Sequence, residues 1–145
     1  MITARFTFVP EYRRLHRAAA RAKRRSGMRA GGLVRTIARR SIRRRKGSAP
    51  RGQPPHAHAR GNRGMKLIYF AWDPQTESVP IGPIPFGQRH AREIQEGGLV
   101  DVIRRRRRGT VERRRLRLAP HPVMGPALEK ATPRIPRYWR NAIGR

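Results

Sequence analysis

From Leu15 onward, small and apolar residues recur every three or four positions: Leu15, Ala19, Ala22, Ser26, Leu33, Ile37 and Ser41, with Val34, Ala38 and Ile42 beside them. This period predicts one long helix over 11–46. Pro10 stands near its start, where a missing N–H costs nothing, and Gly47 stands at its end. The apolar stripe is narrow and arginine surrounds it. Gly27, Gly31 and Gly32 interrupt it, each at a cost of up to about 1 kcal/mol against alanine. They mark either a kink or a close crossing with another piece of backbone.

The pattern then lapses. Residues 48–64 hold Pro50, Pro54 and Pro55, with glycines and almost no bulk, and read as a loop. Such loops are functional or are ordered by a partner. Lys66–Trp72 (KLIYFAW) is apolar almost throughout and is the clearest strand. Asp73-Pro74-Gln75-Thr76 is a turn, and Ser78–Pro83 a short proline-containing edge strand. Gln88–Gln95 offers one or two helical turns before Gly97-Gly98. Leu99–Arg105 and Val111–Leu118 form a hairpin around Gly109. In its second strand Val111, Arg113, Arg115 and Arg117 share one face. A closing helix is predicted over 123–143, bent or split at Pro133 and Pro136. The sum is an α+β fold of a single domain, 1–145: long N-terminal helix, small antiparallel β-sheet within 65–119, C-terminal helix.

Charge changes what this fold is for. The chain has 36 Lys plus Arg against 8 Asp plus Glu, a net charge of +28. Residues 1–64 carry net +18, residues 65–98 net −1 and residues 99–145 net +11. The near-neutral middle therefore reads as the folded heart between two basic regions. Only four of the basic residues are lysine: Lys23, Lys46, Lys66 and Lys130. A GC-rich genome accounts for part of that ratio, but not for the net charge. Arginine suits bidentate binding of phosphate or carboxylate. Self-repulsion on this scale calls for counter-charge in the working state.

Two clusters stand out for phosphate contact: Arg39, Arg40, Arg43, Arg44, Arg45 and Lys46 on the first helix, where 39, 43 and 46 line one face, and Arg104, Arg105, Arg106, Arg107 and Arg108 at the hairpin. Neutralising phosphates releases counterions, so such clusters either give salt-sensitive, sequence-blind affinity for DNA or RNA, with double-stranded DNA the expected partner, or are solvated charged faces. No helix-turn-helix, zinc-finger or single-strand-stacking signature accompanies them. The chain has no cysteine, and His56 and His58 in the loop lack nearby carboxylates. With His90 and His121 they make a poor ligand set, so no metal or other cofactor is expected. Glu93 and Glu96 are read as salt-bridge partners rather than a catalytic pair. No constellation supports an enzyme. Tyr69, Phe70, Trp72, Tyr138 and Trp139 read as core, with Trp139, beside Tyr138, alternatively an interface anchor. With no apolar run of about 18 residues, no membrane span is expected.

The order of the motifs resembles a family, the phage tail-completion or head–tail joining proteins of the lambda minor tail protein Z type. The matching pieces are VRTIARRSIRRRKG (34–47), GQPP (52–55), KLIYFAWD (66–73), VPIGPI (79–84), EIQEGG (93–98), PHPVMGPALEK (120–130) and IPRYWRNAI (135–143). Two pieces depart from the family pattern. His121-Pro122-Val123 replaces an Arg-Pro and a bulky aromatic, and Arg63-Gly64-Met65-Lys66 replaces a Thr-Gly-x-Leu. The resemblance implies a structural virion protein of a tailed phage, in the neck or at the head-proximal end of the tail, assembled in the host cytoplasm. It implies a homo-oligomeric ring, hexameric, around the DNA path, touching neighbouring neck or adaptor proteins and tail-tube or tail-terminator proteins. The alternative from composition alone is a ribosomal or nucleoid-type, sequence-independent nucleic-acid-binding protein.

Overall fold

The computed structural model describes residues 12–57, 66–83, 87–105 and 111–142. The helical period builds α1, Tyr12–Ser41, whose buried side runs through Ala22, Ser26, Gly31, Val34 and Ala38. The stripe starts later than its period suggests. Leu15 is 58% exposed and Ala19 is exposed.

The expected helix over 11–46 also ends five residues early, so residues 39, 43 and 46 do not share a helical face. Continuing it would stack Arg39, Arg40, Arg43, Arg44, Arg45 and Lys46 at i,i+3 and i,i+4 spacings, each pair repulsive by a few tenths of a kcal/mol. Past the end of the helix Ile42 stays buried, and the next backbone groups pair elsewhere. Ala57 N–H donates to the Arg43 carbonyl at 2.9 Å, and Arg44 and Ala57 form an isolated parallel bridge. The first part of the loop is thus a docked segment. Pro55 and Ala57 are buried, and Gly52 N–H donates to the Pro120 carbonyl at 2.9 Å.

β1, Ile68–Phe70, pairs antiparallel with β2, Ile81–Pro83, in the register Ile68↔Pro83. The turn between them is built on Asp73, whose carboxylate accepts from Gln75 N–H at 2.9 Å and from the Thr76 hydroxyl at 2.6 Å. Those two bonds, the Thr76 one foremost, hold the Asp73 carboxyl below its ordinary range. This hairpin lies on α1, and two of the glycines make that possible. A Cβ on Gly31 would meet Phe70 Cδ2 and Val79 Cγ1 at 2.8 Å each, and one on Gly27 would meet Val79 at 3.1 Å and Trp72 at 3.3 Å. These glycines therefore mark a close approach of another segment to the helix. Arg35 fastens the same contact, donating from Nε to the Ile68 carbonyl at 2.7 Å while its guanidinium lies near the Tyr69 and Phe70 rings.

α2, Gly87–Glu96, leads through Gly97 into β3, Gly98–Arg105, which pairs antiparallel with β4, Val111–Leu118. Gly97 has φ +78°, and a Cβ there would sit 3.1 Å from the Leu118 carbonyl and from Pro120 N. The expected α+β order of long helix, small antiparallel sheet region and closing helix holds, and among the described residues the sheet region is two separate two-stranded sheets. The closing helix splits as its prolines require: α3, Met124–Ala131, is followed by a 3-10 helix, Thr132–Tyr138.

The core is Val34, Ala38, Ile42, Ala57, Ile68, Val123, Ala127 and Ala131, with Leu33, Ile37, Ile81, Met124 and Ile135 packed against it. It is an α1–α3 core, to which the described part of the near-neutral middle contributes Ile68 as a fully buried member. Of the aromatics expected in the core, Phe70, Trp72 and Tyr138 are half-buried and none is fully buried. Alanine and valine let the two helices approach closely, and the rings lie around the edge, with Tyr69 48% and Trp139 46% exposed.

Candidate anion-binding site

The early end of α1 brings cations together that a continued helix would have spread around its circumference. Arg40 is on the last turn of α1, and Arg43 and Arg45 follow on the unwound segment. The loop returns beside them with Gln53, Pro54 and His56. Lys130 comes from the last turn of α3. These side chains, with Ile37 and Ser41, line one cavity of about 460 Å³. Among the described residues that line it there is no carboxylate.

Backbone contacts fix the walls. Gln53 N–H donates to the Pro50 carbonyl at 3.1 Å, and the Gln53 carbonyl lies 2.8 Å from His121 Nδ1. His56 Nδ1 is 3.3 Å from the Gly47 carbonyl, and Gly47 takes φ +85° to turn the chain. The Ser41 hydroxyl donates to the Ala38 carbonyl at 2.7 Å. The loop is thus tied both to the end of α1 and to the strand-to-helix connection at 120–121. Arg40, Arg43, Arg45 and Lys130 are exposed. Four positive charges around one hollow repel each other. An oxyanion there relieves the repulsion and accepts several N–H bonds at once.

Of the first predicted cluster, Arg40, Arg43 and Arg45 converge on this cavity. Arg39, Arg44 and Lys46 are exposed beside it without lining it. Of the second cluster, Arg104 and Arg105 end β3, their side chains lying outside the described part, and Arg106, Arg107 and Arg108 lie wholly outside it. Gln53, His56 and Lys130 line the cavity without belonging to either arginine cluster. The only sequence signal for them is the company of Gln53 with Pro54-Pro55 and of Lys130 with the end of a helix. Neither says that the two ends of the chain meet.

Tyr138 and Trp139, read as interface residues, sit at the far end of α1. The Tyr138 carbonyl accepts a hydrogen bond of 2.7 Å from the buried Ser26 hydroxyl. Trp139 lines a second, mainly apolar cavity of about 320 Å³ with His16, Ala19, Lys23, Glu77 and Ala142. Glu77 and Lys23 form an ion pair across it. Glu96 pairs with Arg92 at 2.9 Å along α2, while Glu93 Oε2 is enclosed with no hydrogen-bond partner among the described residues. Among the described residues no three His, Asp or Glu side chains are grouped as metal ligands, and no helix is long and apolar enough to cross a membrane. No family model, curated protein or solved structure matches the chain.

Proposed function

We propose that this chain is a non-enzymatic structural subunit that holds a nucleic-acid backbone without reading its sequence, and that the polyanion is double-stranded DNA. The observation that carries the reading is the convergence of Arg40, Arg43, Arg45 and Lys130, from two helices and a connecting segment, on one cavity whose described lining has no carboxylate. A phosphate diester matches that charge and its N–H donors, and nothing in the lining offers the paired donors and acceptors that discriminate bases. With the motif order at 34–143, the reading becomes a tail-completion or head–tail joining subunit of a tailed phage, a ring around the path of the DNA. In a ring, neighbours and DNA offset the self-repulsion of a chain with net charge +28.

The test is duplex binding by the full chain, monitored by fluorescence anisotropy with two duplexes of unrelated sequence. Replacing Arg43, Arg45 and Lys130 together by Gln touches only exposed side chains. It should weaken both duplexes alike, by roughly tenfold or more at low salt. Replacing Arg13, Arg17 and Arg21 by Gln removes the same charge from the exposed start of α1 and should weaken binding much less. Equal losses in the two triple variants would reduce the cavity to general surface charge.

A further inference from the structure

The β3–β4 ribbon has one face open along its whole described length. Directly opposite residues of an antiparallel pair share a face. The register Leu99↔Arg117, Asp101↔Arg115 and Ile103↔Arg113 therefore sets these six residues, with Val111, on one side. Every one of them is exposed, Leu99 by 65%, Ile103 by 59% and Val111 by 51%. The opposite face is covered at its base, where Val100 is buried and Leu118 is half-buried.

The open face is organised in two lanes. Along β3 runs an aliphatic lane, Leu99 and Ile103. Along β4 runs a cationic lane, Arg113, Arg115 and Arg117. Asp101, between the two aliphatic residues, pairs with Arg115 at 3.1 Å, so the described face carries three arginines against one carboxylate. A two-stranded ribbon is marginally stable alone, and Leu99 and Ile103 leave aliphatic surface that a partner could cover.

We propose that this face docks an amphipathic helix of a partner protein, with a row of aliphatic side chains flanked by a row of carboxylates. A single strand shows one row of side chains to a face, so it cannot place an aliphatic and an acidic row side by side. A helix can, because residues three and four apart form adjacent rows on its surface. A second copy of this ribbon would bring three more arginines and only one carboxylate, Asp101, which already pairs with Arg115. A phosphate backbone would satisfy the arginines and leave Leu99 and Ile103 uncovered. Only an acidic, aliphatic partner meets both lanes. This inference does not rest on the DNA reading, since it uses none of the cavity residues.

The probe is a synthetic helical peptide of about five turns, leucine along one face and glutamate along one flank, titrated into the full chain. Two control peptides carry lysine for glutamate, or serine for leucine. The glutamate–leucine peptide should bind, and both controls should bind at least roughly tenfold more weakly, the loss expected when one half of a buried contact is removed. Leu99→Ser with Ile103→Ser should lower peptide affinity by a similar factor while leaving duplex affinity unchanged. Equal binding of the serine control would overturn the proposal, as would unaltered peptide binding by the double variant. A parallel loss of duplex affinity in the double variant would overturn it by making the face a nucleic-acid surface. Loss of self-association in that variant would overturn it by making the occupant a second copy.

Discussion

Gly31 and Gly32 are neighbours in sequence and opposites in space. At Gly31 an added methyl would meet Phe70 and Val79 at 2.8 Å, whereas at Gly32 its nearest neighbour is Phe70 Cζ at 3.6 Å, an ordinary contact. Alanine gains roughly 1 kcal/mol of helix propensity at either site. Overpacking costs about 1–3 kcal/mol where the neighbours cannot move. Gly31→Ala should therefore destabilise the fold or leave it no better, and Gly32→Ala should stabilise it by up to about 1 kcal/mol. Chemical denaturation of both variants checks this, and a stabilised Gly31→Ala would mean that the hairpin does not press on α1. Ser26 makes a related point. Its place on the apolar stripe was legible, but its hydroxyl bond to the Tyr138 carbonyl joins residues 112 apart, which no local pattern announces.

At the scale of elements, the sequence was most legible where a period ran unopposed. The 30-residue helix, the two hairpins and the helix before Gly97 follow from spacing and from turn residues. What spacing could not show is competition. The run from Arg39 to Lys46 has helical propensity, yet like-charge stacking and the pairing of Arg43 with Ala57 end the helix at Ser41. The candidate site exists because of that outcome, so its arginines were legible as a cluster but not as the wall of a cavity. The β1–β2 turn is a simpler element with its own test. The Asp73 carboxyl is held below the ordinary 3.8 by bonds formed only in the folded turn. A lowered folded value means that its contribution is complete above pH 3.8 and is lost as pH falls through the folded value. The Gln75 amide proton shift should accordingly show a titration step whose midpoint lies below 3.8. In Asp73→Asn the step should vanish, and an unchanged step would assign it to another group.

At the scale of the molecule, charge and packing work against each other. The buried core is made mostly of small side chains, and the chain carries net +28. A chain of this length buries only about two-thirds of its unfolded surface, so its stability margin is small. Assembly and counter-charge are the two ways to relieve the strain, and the proposed ring supplies both. Negative-stain images of the purified chain with and without duplex should show closed rings. Isolated particles that coat DNA without closing would favour the ribosomal or nucleoid-type alternative. The most direct test of the central claim is the salt dependence of duplex affinity, compared between the wild-type chain and the variant with Gln at 43, 45 and 130. Each phosphate that the variant no longer neutralises lowers the slope of log K against log salt by roughly 0.9. A clearly flatter slope is expected for the variant on every duplex sequence, and an unchanged slope would contradict phosphate binding at the cavity.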